Sequence, residues 1–562
     1  MPLRGRLFNW IIARTVRPNK AAMSHHKCTG FNLLLCISTI LTLCYESSAC
    51  RQGTKTECEK ASFVPGYNLA GEGFDVVTLR RKGAYLINVK SHRSDNCTVC
   101  RNRFQGGQVQ KLPLAIVDWR PFSRCNKQLS SALHHSVSSL IKSSTSLINN
   151  NWEMDLSLED VSKVVIGGSN SDIAKFAQSQ HTMDKATFAL HEISCTYYRC
   201  STGFWSVLMD IYVHQPQGYY KSYRVMDQPE LSAEFTKHLL QLPRHYSMKT
   251  KSQYRRTIDT YGTHYIRHVH LGGRVRQVTA FRTCLATLKG FVESDIKNCL
   301  NFELKIALGF LPANASLSNK CSNILRDNMS MGFYQGFLTQ KLEVLGGESY
   351  FPDLVFRQSP AEAYASWMNS LRENPDIISY AIFPLHHLVA DPELSSNLRR
   401  AVTEYIEENM LPSDQNQNHE CTSTPNLDHN CCPLRAGHGT LTVLVQRATG
   451  LKADLFTKTD GYVKVWYNNM YEETEIVMDD NNPEWNISYN FGSIEFGHEL
   501  IFEVWDIDVL YNDMVGSCVV YPENGIHSHS CRLKKGVFYF TYSAQCDAHL
   551  AGHRCGRYSP KA

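Results

Sequence analysis

The sequence lacks the features that would identify an enzyme or a nucleic-acid-binding protein. It has no Gly-x-Ser-x-Gly nucleophile motif, and His191-Glu192 is not followed by the second histidine of a zinc-binding helix. The net charge of +5 is confined to residues 1–49, which hold six Lys/Arg and one acidic residue, so the rest of the chain is neutral. Because contacts to a phosphate backbone need a concentrated basic surface, we expect no nucleic-acid partner, and we predict no catalytic residue.

Long hydrophobic runs are also scarce. One apolar run of 15 residues, Phe31 to Tyr45, precedes Ser47-Ser48-Ala49, which has the small residues of a cleavage site. A membrane anchor is the alternative, but the run is shorter than the ~20 apolar residues that span a bilayer. We therefore predict that residues 1–49 are a signal peptide and leader, that translation starts at Met1 or Met23, and that the protein is secreted.

Cysteine, in contrast, is abundant, with 20 residues in the chain. Three of them belong to the leader, and the 17 that remain predict a disulfide network in a secreted protein. The pair Cys97-x-x-Cys100 is expected to form bridges, with Cys50 and Cys58 as candidate partners, rather than to bind a metal. Because 17 is odd, one thiol is free or pairs between chains.

Composition divides the chain after the leader into four parts. Residues 50–411 mix helical and strand patterns without a linker, and residues 412–436 form a polar connector with three cysteines. From residue 437, short alternating strands separated by turn residues predict an antiparallel sandwich that ends at residue 524. Residues 525–562 are interpreted as a disulfide-linked C-terminal tail.

Acidic residues of the sandwich segment collect in its connecting loops. Five carboxylates flank strands in two of these loops: Asp454, Asp460, Asp506, Asp508 and Asp513. Oxygen ligands of this kind suit Ca²⁺, and the carboxylates would repel one another without a cation. The preference of Asp for turns is the alternative explanation. The pattern is similar to that of C2 domains, which are calcium-dependent lipid-binding sandwiches, and the resemblance implies these five residues as ligands with Asn512 as an accessory.

Apolar side chains accompany the carboxylates. Trp485, Leu510 and Tyr511 lie beside them in the sequence, and aromatic side chains are favoured in the headgroup region of a bilayer. We predict that these three residues contact the membrane once Ca²⁺ has cancelled the negative charge. Packing in the sandwich core is the alternative.

A separate motif lies near the centre of the chain. It comprises an aromatic residue, Gly, Thr, His, a second aromatic residue, six further residues and a glycine pair: Tyr261, Gly262, Thr263, His264, Tyr265, Gly272 and Gly273. A turn entering a strand with a glycine bulge would also produce this spacing. All fixed positions agree with the signature of the membrane attack complex/perforin family, which the chain resembles nearly end to end from Cys50.

The resemblance implies an α+β fold of the type shared with cholesterol-dependent cytolysins. A bent central antiparallel sheet is flanked by helix clusters, and an all-β C2 sandwich follows. It also implies that two helix clusters refold into amphipathic β-hairpins, which insert into a membrane as subunits join in a ring or arc around a β-barrel pore.

A strand of such a barrel alternates apolar and polar residues over about ten positions. This alternation occurs at five apolar positions, which we assign to the second inserting hairpin: Phe302, Leu304, Ile306, Leu308 and Phe310. An ordinary strand of the soluble protein is the alternative. The first inserting hairpin is placed at residues 150–200.

The same resemblance suggests roles for two glycine pairs, a histidine and an arginine. The glycine pairs Gly272-Gly273 and Gly346-Gly347 are predicted hinges that let the sheet open. His264 is expected to be a packed structural residue. Arg267 is predicted to contact a neighbouring subunit, with a solvated charge as the alternative.

Four sequons for N-glycosylation begin at Asn96, Asn314, Asn328 and Asn486. Those at Asn314 and Asn328 lie in or beside the second inserting segment, and a glycan there would oppose passage across a bilayer. They favour the alternative of a non-lytic family member that binds membranes or partners without perforating them.

We therefore predict a secreted calcium-dependent cytolysin that uses Ca²⁺ as its cofactor and acts in immunity. Its partners are expected to be a phospholipid membrane and further copies of the chain. The resemblance also implies storage in cytolytic granules together with effector proteins such as granzymes.

Overall fold

The structure is a computed structural model, which describes residues 50–92, 96–125, 129–153, 156, 158, 164–201, 229–312, 315, 318–330, 337–348, 360–412, 425–452, 457–508 and 511–560. The predicted leader, residues 1–49, lies outside the described residues. Within the described ranges, none of the helices has the length and apolar character needed to cross a membrane. The helices are α1 Lys55–Lys60, α2 Val137–Thr145, α3 Asp172–Met183, α4 Ala233–Gln241, α5 Lys251–Tyr261, α6 Thr283–Leu288, α7 Glu293–Ala307, α8 Asn319–Ser330, α9 Pro360–Ser370 and α10 Pro392–Glu407, with a 3₁₀ turn at Leu385–Leu388.

The strands fall into two groups along the chain. The first group is β1 Cys50–Gln52, β2 Ser62–Phe63, β3 Glu72–Asp75, β4 Arg80–Tyr85, β5 Thr98–Asn102, β6 Gln108–Lys111, β7 Asp118–Cys125, β8 Ser130–His134, β9 Val164–Val165, β10 Ala186–Ser201, β11 His264–Arg282, β12 Leu338–Leu345, β13 Asp376–Pro384 and β14 Leu411–Pro412. The second group is β15 His438–Thr449, β16 Gly461–Tyr467, β17 Met470–Glu473, β18 Glu484–Glu495, β19 Leu500–Asp506, β20 Asp513–Val520, β21 Gly525–Arg532, β22 Val537–Cys546, β23 Leu550–Ala551 and β24 Arg557–Tyr558.

The two longest strands, β10 and β11, form the centre of the main sheet. They pair antiparallel from Ala186↔Arg282 to Ser201↔His268, with one irregularity between Thr196 and Tyr198. Toward one end, β10 pairs with β8 and β11 pairs with β12. Toward the other end, the outer partners are β7 and β13 instead.

Both central strands change their outer partner at the same level, and this is where the sheet divides into two halves. Strand β11 pairs with β13 as far as Gly272 and with β12 from Arg274 onward. Strand β10 pairs with β8 as far as Glu192 and with β7 from Cys195 onward. A disulfide joins Cys125 to Cys195 directly across the β7–β10 pair.

Two helix clusters cover opposite faces of the half that contains β8 and β12. On one face, α2 and α3 pack against Phe188, Leu190, Val278 and Ala280. On the other face, α6, α7 and α8 pack against Ala189 and Phe281. Because successive side chains of a strand point to opposite faces, the same stretch of β10 and β11 forms both cores. The predicted sheet flanked by helix clusters is confirmed.

Local sequence explains the helices of each cluster. The buried residues of α2 include Val137, Leu140 and Ile141, which share one helical face, and Ser136 caps its first turn. In α7 the buried residues Ile296, Cys299 and Leu300 have the same spacing. The apolar face of each helix can pack on the sheet. Because helices of this length are only marginally stable in isolation, the stability of both clusters depends on packing against the sheet.

The second domain is an antiparallel sandwich of two four-stranded sheets. Their strand orders are β18-β15-β22-β21 and β17-β16-β19-β20. The core includes Leu441, Val463 and Phe502 together with Phe538 and Phe540 of β22. The predicted boundary at residue 524 is therefore wrong. Strands β21 and β22 complete one sheet through Cys546, and only the segment after Cys546 is a tail.

The connector and the tail attach the sandwich to the base of the helix clusters. A disulfide joins Cys284 of α6 to Cys432 of the connector, and Leu288 packs against the sandwich core. The side chain of Asp184, directly after α3, accepts a hydrogen bond from the Tyr558 hydroxyl at 2.6 Å. Both clusters are thus anchored at their bases by residues from the C-terminal part of the chain.

We predict that Gly272→Ala destabilises the protein. A Cβ atom at this position would lie 1.8 Å from the carbonyl oxygen of Cys195, and the backbone of β10 cannot move away without breaking its pairing with β11. We expect the free energy of unfolding, measured in urea, to fall by about 2 kcal/mol or more.

The matched control is Gly556→Ala. Apart from residue 556 and its two chain neighbours, no heavy atom of the described residues lies within 4 Å of the Cβ position, so the stability of this variant should equal that of the wild type. A Gly272→Ala protein as stable as the control would show that the sheet is not closely packed at the change of partners.

Candidate functional site

The central signature forms the junction between helix α5 and strand β11. Tyr261 is the last residue of α5, and Gly262 ends the helix with φ of 84°. A Cβ at Gly262 would lie 2.3 Å from the carbonyl oxygen of Phe74, so both the backbone angle and the close approach require glycine. Tyr265 continues into β11, where it pairs with Phe383.

Thr263 and His264 fix this junction to the N-terminal strands. The Thr263 hydroxyl accepts a hydrogen bond from the Val76 amide at 3.0 Å and lies 2.8 Å from Nδ1 of His264. His264 is fully buried against the edge of Trp152, and burial lowers its pKa to about 3. The imidazole is therefore neutral and packed, as predicted.

The two predicted hinge pairs meet at the change of strand partners. A Cβ at Gly346 would lie 2.3 Å from the carbonyl oxygen of Gly272. Trp367 of α9 covers the site, and its indole nitrogen donates to the carbonyl oxygen of Gly346 at 2.8 Å. Gly273 and Gly347 lie under the same indole ring. Close packing, rather than backbone freedom, is the structural reason for glycine at 272 and 273. The hinge role stays a prediction.

Arg267 lies on β11 between the signature and the glycine pair. Its guanidinium group stacks over the ring of Phe383 at 4.7 Å from the centroid, and the side chain is half-buried. Its predicted contact with a neighbouring subunit stays a prediction.

The second predicted inserting segment is helical. Phe302, Leu304 and Ile306 belong to α7, which ends at Ala307, while Leu308 is buried and Phe310 contacts the ring of Tyr364. The alternation of apolar residues is therefore not that of an ordinary strand in this structure. Cys299 of α7 is bonded to Cys321 of α8.

Each of the two helix clusters connects two neighbouring antiparallel strands of the main sheet. Residues 135–185 leave the sheet at β8 and return at β10, and β8 and β10 are antiparallel neighbours. The first inserting hairpin, predicted at residues 150–200, overlaps this segment only as far as Lys185, because Ala186–Ser201 is the central strand β10. Residues 283–337 leave at β11 and return at β12, which are also antiparallel neighbours. Each segment is longer than the roughly 20 residues that two bilayer-spanning strands need.

Sequence reasoning missed the polar contacts at the base of the first cluster. Asp184 is 5% exposed, and burial raises its pKa. Besides the Tyr558 hydroxyl, Nε of Arg282 lies 3.7 Å and Nδ1 of His549 lies 3.8 Å from its carboxylate oxygens. These partners are far apart in the sequence, and no local pattern signals the contact.

Three of the predicted calcium ligands lie at one edge of the sandwich. Asp460 immediately precedes β16, Asp506 ends β19, and Asp513 begins β20, in three strands that are neighbours in one sheet. Oδ1 of Asp506 accepts a hydrogen bond from the Asp460 amide at 2.6 Å, and Oδ1 of Asp460 accepts one from the Asp479 amide at 2.6 Å. The structure therefore brings two predicted loops together and adds residue 479 to them.

The other predicted calcium ligands are Asp508, Asn512 and Asp454. Asp508 is half-buried beside Asp506, and the Asn512 amide donates to the Tyr462 hydroxyl at 3.2 Å. Asp454 lies outside the described residues. In the ranges that are described, no three His, Cys, Asp or Glu side chains converge closely enough to hold a metal ion. The donors are nevertheless carboxylate oxygens on adjacent loops, which is the chemistry that Ca²⁺ prefers.

The three predicted membrane contacts differ in exposure. Tyr511 is 84% exposed, and its contact with the membrane stays a prediction. Trp485 packs against the sandwich core, 6.3 Å from the ring of Phe538, which favours the core alternative for this residue. Leu510 lies outside the described residues.

Three of the four sequon asparagines and one of the predicted disulfides lie within the described residues. Asn96 and Asn486 are exposed, Asn328 lies in α8, and Asn314 lies outside the described residues. The disulfide between Cys58 and Cys97 agrees with the predicted bridging of the Cys97-x-x-Cys100 pair.

Comparison with known proteins agrees with this architecture. Residues 64–204 and 206–415 match the MAC/Perforin domain, and residues 439–533 match the C2 domain. The chain is 32% identical to Perforin-1 of Mus musculus over 541 residues, which cover 91% of this chain and 94% of that protein. It is 32% identical to Perforin-1 of Homo sapiens over 542 residues, which cover 91% and 93%. A solved C2 domain is 31% identical, and the match covers 19% of this chain and 98% of that one with a TM-score of 0.18. The chain therefore belongs to the membrane attack complex/perforin family.

Proposed function

We propose that this protein is a secreted, calcium-dependent pore-forming cytolysin. Membership of the family, together with the C2 domain, supports a membrane-binding and pore-forming function. Conversion of the helix clusters into membrane hairpins is supported by their connectivity, because each cluster joins two neighbouring antiparallel strands.

Docking would begin at the edge of the sandwich that carries Asp460, Asp506, Asp508 and Asp513, with Asp454 and Asn512 completing the set. Bound Ca²⁺ would supply positive charge that offsets these carboxylates and attracts lipid phosphate. The exposed ring of Tyr511 lies beside the set and would then enter the headgroup region, where aromatic side chains are favoured.

Insertion would follow by extension of existing strand pairs. Because β8 pairs with β10 and β11 pairs with β12, residues 135–185 and 283–337 can become hairpins without any change in the register of the sheet. In lipid every backbone polar group needs a partner, so the hairpins of neighbouring subunits must pair with one another in a shared sheet. We propose a ring or arc of identical chains for this reason.

The sequons provide the specific argument for a second candidate, a non-lytic membrane-binding protein. Asn314 and Asn328 lie within the second cluster segment, and glycans there would keep that segment out of the bilayer. Storage in cytolytic granules and co-delivery with effector proteins such as granzymes belong to the first candidate. Acidic storage would weaken docking, because protonated carboxylates bind Ca²⁺ poorly.

We predict that Asp506→Asn weakens calcium-dependent binding to phospholipid vesicles. The amide keeps the oxygen that accepts from the Asp460 amide but removes one negative charge from the ligand set. Sedimentation with vesicles and release of an enclosed dye, measured in the same samples, should require about tenfold more Ca²⁺ for the half-maximal response.

Glu495→Gln is the matched control, because Glu495 is an exposed carboxylate at the end of β18, where it pairs with His438. It should behave as the wild type does. Calcium-dependent binding without dye release by the wild type would reject perforation and support the non-lytic candidate.

We further predict that the second segment changes from a helix to a strand on insertion, so that successive side chains face lipid and water in turn. Single cysteines at 302 through 306, labelled with a fluorophore sensitive to polarity, report the surroundings of each position. After addition of vesicles and Ca²⁺, labels at 302, 304 and 306 should shift to the blue, whereas labels at 303 and 305 should not.

The same labelled proteins without Ca²⁺ serve as the control. A period of three to four residues, rather than two, would show that the segment meets the membrane as a helix.

A further inference from the structure

Exposed apolar side chains are distributed unevenly over the sandwich. Nine large hydrophobic residues are exposed in its described part, and six of them lie on or beside the outer side of the sheet β17-β16-β19-β20: Trp466, Tyr471, Ile476, Met478, Met514 and Val519. We call these six residues and the side chains between them the flank surface. The outer side of an antiparallel sheet is normally polar, and a contiguous apolar surface indicates contact with another body.

One apolar row crosses all four strands of this sheet. Tyr471 pairs with Trp466, Trp466 pairs with Ile501, and Ile501 pairs with Val519. Side chains of directly paired residues lie on the same face and contact one another. The rings of Trp466 and Tyr471 have centroids 4.3 Å apart, and Val519 is 50% exposed at the other end of the row. The row is therefore a continuous apolar strip.

A second row lies next to the calcium edge. Met514 pairs with Trp505, which pairs with Tyr462 on the other side. Trp505 directly precedes Asp506, and Met514 directly follows Asp513. The flank surface thus begins at the strand ends that carry the predicted calcium ligands.

The segment before residue 479 extends this second row. A bridge pairs Gly461 with Val477, so Ile476 and Met478, whose side chains alternate with that of Val477, lie on the outer side. Met478 is 66% exposed and directly precedes Asp479, which belongs to the loops of the calcium edge. The apolar surface and the calcium edge are therefore continuous.

The charges between the two rows do not favour an anionic partner. Lys464 has Glu473 and Glu503 as its direct neighbours on the adjacent strands. Its Nζ atom lies 4.6 Å from the centroid of a Trp505 ring. Recognition of anionic headgroups uses clusters of Lys and Arg, whereas this strip has one lysine and two carboxylates.

We propose that the flank surface is a second lipid-contacting surface, which lies on the headgroup region of a zwitterionic phospholipid bilayer. Tryptophan and tyrosine are favoured at this depth, and burial of apolar side chains there removes them from water. The proposal rests on the docking step of the proposed function and deepens it. The sandwich would contact the membrane with its side as well as with its calcium-binding loops.

The first test measures sedimentation of the mature full-length chain with phosphatidylcholine vesicles at saturating Ca²⁺. The double variant Trp466→Ser/Tyr471→Ser removes both rings and leaves the predicted calcium ligands unchanged. Its apparent Kd for lipid should increase by at least about tenfold. Ile526→Ser is the matched control, because Ile526 is 77% exposed on the other sheet, and it should bind as the wild type does.

Equal affinity of the double variant and the wild type would overturn the lipid surface and favour a protein partner for the same residues. If the double variant does not fold, a fluorophore sensitive to polarity on Val519→Cys provides the second measurement. Its emission should shift to the blue when vesicles and Ca²⁺ are added, whereas the same fluorophore on Ile526→Cys should not respond. The absence of a shift at 519 would overturn the proposal.

Two further results separate the headgroup preference and the proposed function from this surface. When part of the phosphatidylcholine is replaced by phosphatidylserine, the ratio of the two Kd values, double variant to wild type, should stay the same. A ratio that rises with phosphatidylserine would overturn the zwitterionic assignment. Calcium-dependent binding of the wild type without dye release concerns perforation alone, whereas no calcium-dependent binding to any vesicle overturns both docking and the flank surface.

Discussion

The antiparallel pairing of β10 with β11 is the constraint on which the rest of the pore-forming domain depends. It extends from Ala186↔Arg282 to Ser201↔His268, and it sets the positions of β8, β12, β7 and β13 as outer partners. Both helix clusters pack on the faces of this pair because neither cluster has enough apolar surface to be stable alone. A shift of the register between β10 and β11 by one residue would move the apolar side chains that contact one cluster to the opposite face of the sheet. The register of this pair is therefore strongly specified.

Much of this architecture was predictable from local sequence. The signature predicts a turn that enters a strand, and strand β11 does start at His264, directly after the positive φ of Gly262. The close approach of Gly262 to Phe74 and the hydrogen bond from Val76 to Thr263 were not predictable, because their partners lie in a distant part of the sequence. The acidic loops of the C2 domain were predictable for the same reason, since Asp460, Asp506 and Asp513 flank strands whose alternation is visible in the sequence.

Other features depend on contacts that no local pattern encodes. The predicted sandwich boundary lies too early in the chain, because the alternation of Phe538, Phe540 and Tyr542 in β22 does not by itself indicate a core strand. Only the pairing of β22 with β15 identifies it as one. Tyr558 meets Asp184 across most of the chain. Two arginines at alternate positions of a buried strand, Arg274 and Arg276, were a local signal of polar surroundings, but those surroundings come from six other elements, namely β3, β4, β12, β13, α2 and α3.

In residues 302–310 the local sequence pattern and the observed secondary structure differ. Its apolar residues alternate, which suits a strand, yet residues up to Ala307 form the end of a helix on the sheet. Tertiary packing on β10 and β11 outweighs the local pattern here, as it commonly does for short segments. A segment that switches structure needs this compatibility with both states.

The disulfide between Cys299 and Cys321 has a consequence for any hairpin formed by the second cluster segment. A cross-link between two antiparallel arms makes its residues opposite or nearly opposite each other, as Cys125 and Cys195 are in the sheet. The chain would then have to reverse direction close to Phe310, midway between the two cysteines. The arms beyond the cross-link would each contain about ten residues, the length of one barrel strand across a bilayer. In any hairpin formed by this segment, the covalent bond would thus fix the position of the turn and, with it, which residues of the two arms lie opposite each other.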